Sequence, residues 1–177
     1  MHNITIEELK KSIRDVPDFP KKGILFKDLT TAFKDPDVLH KMADELEAYY
    51  ADQKITKVVG IESRGFILGS ILAYRLKAGF VPIRKPGKLP SEVYSVTYEL
   101  EYGTDSIEIH QDSIHSTDII LLHDDLLATG GTACAALDLL QKFKVQKVFL
   151  SFIVELAFLQ GRNKIDPDID VHSLISY

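Results

Sequence analysis

Residues 123–133 read HDDLLATGGTA, in which two adjacent acids, Asp124 and Asp125, follow an apolar run and a histidine. A Thr-Gly-Gly-Thr turn and an Ala-rich segment come next. Consecutive peptide N–H groups in such a turn form a concave anion site, and a helix behind it adds the positive end of its dipole. Gly130 and Gly131 let the backbone approach a phosphate closely, while Thr129 and Thr132 supply hydroxyl donors. Carboxylates repel a phosphate, so the two acids must face another part of the same ligand. A sugar diol or a metal-bound hydroxyl suits them, and a ligand carrying both a phosphate and a ribose fits the spacing. The pattern is neither a Walker loop nor the dinucleotide fingerprint, whose glycines follow the first strand.

The elements that must position these residues are legible from apolar periodicity. Ile6, Leu9, Ile13 and Val16 recur at helical spacing behind a Thr5/Glu8 capping box, up to Pro17. A helix is expected from Pro36, capped by Asp35, with Val38, Met42, Leu46 and Tyr49 on its inner face. KVVGI (57–61), FVPIR (80–84), DIILL (118–122) and KVFLSFIV (147–154) read as buried strands, with a last short strand near 171–176. FILGSILAYRL (66–76) is apolar nearly all round and reads as a buried helix, and another helix spans about 131–143. The stretch 85–103, rich in Pro, Gly and charge, together with IEIH (107–110), reads as a long loop with an antiparallel strand pair. Strands apolar on both faces and alternating with helices indicate a mainly parallel sheet covered on both sides. Such sheets bind ligands beyond the carboxyl ends of their strands, where ESRG (62–65), RKPGK (84–88) and the acid pair all fall.

Bulk properties set the outer bounds. A chain of 177 residues fits one domain. The net charge of -5 argues against a general nucleic-acid or membrane-surface binder. Cys134 is the single cysteine, so a reducing, cytoplasmic setting is expected; no signal peptide is visible at the N-terminus, and no apolar run has the length of a membrane span.

An apolar run, two acids and LLATGGT together resemble the phosphoribosyl-pyrophosphate motif of the type I phosphoribosyltransferases. The resemblance extends over FPKKGILFKDLT (19–30), GIESRGFILG (60–69), IRKPGKLP (83–90), YELEYGTDSIEIH (98–110) and VELAFLQGR (154–162), and is closest to the adenine-using branch. It implies an α/β fold with a mainly parallel sheet flanked by helices, a small hood over about residues 1–34 and a flexible catalytic loop over 85–103. The implied reaction transfers the 5-phosphoribosyl group to N9 of adenine, releasing pyrophosphate and forming AMP, with Mg2+ on the donor. By matched position, Asp124 and Asp125 hold the ribose hydroxyls, and Ala128, Thr129, Gly130, Gly131 and Thr132 cradle the 5'-phosphate. Ser63 and Arg64 contact pyrophosphate, in a loop that often carries a non-proline cis peptide, and Arg84 and Lys88 add positive charge there. Leu25, Phe26 and Lys27 form the adenine site, with Phe26 stacked on the purine. Glu101 and Tyr102 sit on the mobile hood; the catalytic candidates are Glu101, for handling the purine's proton, and Arg64, at the pyrophosphate. A homodimer is a further family expectation.

Two alternatives stay open at this level: a phosphoribosyltransferase for a 6-oxopurine, and a non-catalytic regulator that keeps the donor site as a sensor. The plain readings also stand beside the sharp ones. Cys134 reads as a small buried residue, and His2, His40, His110, His115 and His172 lack metal spacing and read as surface residues. His123 departs from the family's usual apolar residue. Strand alternation turns it away from Asp124, as a structural substitution that is hydrogen-bonded or near the sheet edge.

Overall fold

The computed structural model describes residues 4–19, 21–99 and 103–177. Glu101 and Tyr102 lie outside them. Five strands, β3 (Lys57–Ile61), β4 (Gly79–Ile83), β7 (Ile119–Leu127), β8 (Lys147–Glu155) and β9 (Asp170–Ser176), form one parallel sheet in the order β4-β3-β7-β8-β9. Two antiparallel hairpins complete the strand set: β1 (Arg14–Pro17) with β2 (Leu25–Asp28), and β5 (Val93–Glu99) with β6 (Thr104–His110).

Alternation along the central strands divides the core into two layers. Leu121, Phe149 and Ile153 point to the face covered by α1 (Ile6–Ser12), α3 (Pro36–Tyr50) and α4 (Gly65–Arg75). Ile120, Leu122, Leu150 and Phe152 point to the face covered by α5 (Gly131–Gln141) and the β5–β6 hairpin. A four-residue turn of helix, α2 (Thr30–Phe33), links the first hairpin to α3.

Several boundaries differ from the sequence reading, each for a tertiary reason. α1 has its capping box but stops at Ser12, because Val16 is taken into β1 opposite Phe26. On α3 the buried tyrosine is Tyr50, fully enclosed, while Tyr49 is exposed and stacks on His172 with ring centroids 3.8 Å apart. His172 is thus partnered rather than a bare surface residue, and His110 has a buried ring Nε2. The α4 helix is buried on one side only: Tyr74 is 86% exposed and Ile67 is exposed beside it. The antiparallel pair expected in the stretch from 85 to 110 is present, with Val93–Glu99 paired residue by residue with β6. β7 runs past the apolar run, through both acids, to Leu127.

Tyr50 ties α3 to the sheet by donating its hydroxyl proton to the Leu150 carbonyl at 2.9 Å. Tyr50→Phe keeps the ring and removes that bond. We expect a loss of about 1 kcal/mol and a thermal midpoint lower by roughly 2–4 °C in a domain of this size, read by calorimetry. An unchanged midpoint contradicts the tie.

Candidate active site

What opens the sheet at the acid pair is a mismatch in strand length. β7 pairs with β3 only as far as Gly60↔His123, whereas its ladder with β8 runs on to Leu127↔Glu155. Asp124 and Asp125 therefore stand beyond the end of the β3 pairing. There the chain turns through Glu62-Ser63, a cis peptide, and enters α4 at Gly65. Gly65 permits this close crossing, since a Cβ there would lie 2.7 Å from the His123 carbonyl oxygen. The crossing brings Arg64 over β7, with its Nε 2.5 Å from Asp125 Oδ2.

The electrostatics follow from that geometry. Burial raises the pKa of both acids, because the charged form loses its water. The charge of Asp125 pushes Asp124 further in the same direction, while Arg64 pulls Asp125 partly back. The Asp125 N–H donates to Asp124 Oδ1 at 2.8 Å, which fixes the first carboxylate towards the cleft. The pair, Ser63 and Arg64 line a cleft of about 370 Å3 together with Lys85, Tyr98, Asp105 and Thr132. An adjoining cavity of about 210 Å3 is walled by the same acids and the turn from Ala128 to Thr132. In that turn Gly130 takes φ 81°, a left-handed conformation suited to glycine, and α5 starts at the next residue.

The basic residues are not bare. Glu62 accepts from the Lys85 backbone N–H at 2.8 Å and Arg84 Nε at 3.3 Å, and it pairs with Lys88. Burial works against its ionisation, yet Lys88, the Lys85 amide and Arg84 together bring the Glu62 pKa down to about 2. Lys85 pairs with Asp105, and the Tyr98 hydroxyl lies 3.3 Å from both Asp105 Oδ2 and Thr132 Oγ1. A ready set of cations is thus held beside the cleft by internal carboxylates.

Phe26 on β2 is half-buried, edge-on to Phe19, with the Arg64 guanidinium carbon 5.5 Å from its ring centroid. This connects the first hairpin to the acid pair through one arginine. Leu25 is exposed. The Lys27 side chain is engaged elsewhere: it pairs with Asp15 at 2.6 Å and sits 3.9 Å over the Tyr177 ring. The structure therefore gathers Ser63, Arg64, Asp124, Asp125 and the turn, with Phe26 one contact away and Arg84 and Lys88 at the rim. Sequence reasoning gave no role to Glu62, Tyr98 or Asp105. Their only signal was strand alternation, which puts Tyr98 on the inner face of β5 with Tyr94 and Val96.

Fold and site together define a class. Residues 31–173 match the model of the phosphoribosyl transferase domain, and the chain belongs to that family. Within it, the chain is 56% identical to the adenine phosphoribosyltransferase of Bacteroides thetaiotaomicron over 96% of this chain and 97% of that protein. Among solved structures, the adenine phosphoribosyltransferase of Rhodothermus marinus superposes with a TM-score of 0.91 at 49% identity, covering 97% of this chain and 98% of the other. The Giardia lamblia enzyme in complex with 9-deazaadenine gives 0.94 at 41% identity, covering 99% of each chain. Its relatives at this identity and coverage are adenine phosphoribosyltransferases.

His123, directly before the acids, is fully buried in a central strand, not near a sheet edge. Its Nδ1 lies 3.1 Å from Ser151 Oγ, and its Nε2 is enclosed without a hydrogen-bond partner. Burial lowers its pKa to about 4, although a hydrogen bond that the ring donates to Ser151 works in the opposite direction. The sign follows directly. Between about pH 6.5 and 4 the unfolded chain takes up a proton at this residue and the folded chain does not, so stability falls as pH falls. The raised acids act in the opposite sense, so the histidine is isolated by comparison with His123→Val. Relative to that variant, the wild type should lose urea resistance between pH 6.5 and 4.5; parallel curves would rule out a neutral buried imidazole.

Proposed function

We infer that this chain transfers the 5-phosphoribosyl group of phosphoribosyl pyrophosphate to adenine, giving AMP and pyrophosphate. The observation that carries this reading is the buried acid pair, gripped by Arg64 between the phosphate-type turn and Phe26. Asp124 and Asp125 take the ribose hydroxyls, acceptors already desolvated and in need of donors. The amides of Ala128 to Thr132 take the 5'-phosphate. Ser63, Arg64 and Lys85 face the pyrophosphate, and Arg84 and Lys88, held in place by Glu62, add positive charge at its rim. Breaking the C1–O bond builds positive character on the ribose and negative charge on the leaving group, so the carboxylates and the cations stabilise opposite ends.

Phe26 offers its face to the purine, with Leu25 at the edge. Lys27 acts on the base site through its backbone and by anchoring the hairpin to Asp15. Glu101 remains the candidate for the proton lost from the base. Tyr98 and Glu99, just before it, reach Thr132 and the space next to Gly131. Residues 1–34 form the hood and 85–103 the closing loop, which keeps water from hydrolysing the donor.

No group of three or more His, Cys, Asp or Glu suited to a metal occurs among the described residues. Magnesium would be held mainly through the donor rather than by a protein ligand set, and would supply charge neutralisation for the leaving pyrophosphate. A second copy of the chain is assigned to the exposed side of α4, where Ile67, Tyr74 and the edge-strand residue Phe80 lie open. No helix among the described residues is long and apolar enough to cross a membrane. The reducing cytoplasm expected from the lone cysteine belongs to this reading.

The test is direct. With Mg2+ and phosphoribosyl pyrophosphate, adenine should yield AMP, and hypoxanthine and guanine should yield nucleotide far more slowly. Turnover of a 6-oxopurine instead would move the base assignment. Asp125→Asn should cut kcat/KM for the donor by about 10- to 100-fold, the loss of a hydrogen bond to a charged group, with the far-ultraviolet spectrum unchanged. Full turnover by that variant would displace the ribose from this site.

A further inference from the structure

The turn at 128–130 packs against another part of the chain. Behind it stands a second turn, from Ala157–Leu159 through Gln160 to Gly161–Lys164, and the two meet backbone to backbone. A Cβ built on Gly130 would lie 2.5 Å from the Gly161 carbonyl oxygen. One built on Gly161 would collide with the Ala128 carbonyl oxygen and lie 2.8 Å from the Gly130 nitrogen and 2.9 Å from the Thr129 carbonyl carbon. No flexible side chain lies between them to absorb a shift, so the position of one turn sets that of the other.

The second turn is itself clamped. Arg162 donates from Nε to Glu155 Oε1 at 2.9 Å, pairs through Nη2 with the other Glu155 oxygen, and donates from Nη1 to the Val171 carbonyl at 2.6 Å. Glu155 is largely buried at the end of β8, and Val171 belongs to β9. The forked ion pair thus fastens the turn to two strands of the sheet.

We propose that Gly161 and Arg162 are positioning residues for the 5'-phosphate: Arg162 locks the second turn to β8 and β9, and Gly161 transmits that lock to the amides of Ala128 to Thr132. Neither touches the ligand in this account. The proposal rests on the assignment of that turn to the 5'-phosphate. It predicts a selective loss, because the turn abuts the phosphate cradle directly, whereas it reaches the base-site hairpin on β2 only indirectly, through Tyr177 beneath Lys27.

Ribose 5-phosphate, titrated calorimetrically, reads the cradle without turnover. Gly161→Ala should weaken its binding and raise KM for phosphoribosyl pyrophosphate by about tenfold or more, the scale of a small misplacement of a binding group. KM for adenine should stay essentially unchanged. Arg162→Ala should show the same split, and Arg162→Lys, which keeps the charge but not the fork, should fall between it and the wild type. If Gly161→Ala does not fold, the two Arg162 variants carry the test. Wild-type donor KM and ribose 5-phosphate affinity in the folded variants would overturn the proposal, as would equal losses for donor and adenine. A wild type that binds ribose 5-phosphate but makes no AMP would instead overturn the assigned reaction, while the binding series still decides the positioning role.

Discussion

Everything at this site depends on how two adjacent carboxylates are kept next to a phosphate cradle inside a parallel sheet. Two acids on neighbouring residues repel each other, and burial disfavours the charge of each. The arrangement is tenable because the pairing of β3 with β7 ends at His123 and the chain after β3 returns over β7, carrying Arg64 to Asp125. That crossing needs the absent side chain at Gly65, and it needs the strand order that makes β3 the neighbour of β7. The open end that results is where parallel sheets receive ligands.

A second layer of charge surrounds the first. Glu62 and Asp105 hold Arg84, Lys85 and Lys88 in place, so the cationic rim is set by pairs internal to the protein. Fixed groups of this kind stabilise developing charge without reorganising at the moment of reaction.

Much of this was legible in the residues. The acid pair with its Thr-Gly-Gly-Thr turn pointed to a ligand with two unlike halves, and continuous apolar runs pointed to a covered parallel sheet. The cis peptide at Glu62-Ser63 matched what the family resemblance implied. What stayed hidden was tertiary. Val16 belongs to a strand because Phe26 pairs with it, Tyr50 rather than Tyr49 is buried because the sheet lies on that side, and β7 outlasts its apolar run because β8 continues alongside. The contact between Gly130 and Gly161 joins residues 31 positions apart, which no spacing rule reaches. His123 was read as a bystander, and its buried ring against Ser151 agrees, although it sits in mid-sheet rather than near the edge.

The central claim is that one end of β7 holds a sugar and its phosphate in two abutting halves, acids for one and amides for the other. Nuclear magnetic resonance of labelled protein, titrated separately with inorganic phosphate and with ribose 5-phosphate, tests it most directly. Phosphate alone should move the amide signals of Ala128 to Thr132, and ribose 5-phosphate should move those together with the carboxyl carbons of Asp124 and Asp125. Ribose 5-phosphate leaving both carboxyl signals in place, or moving signals away from this strand end, would contradict the account.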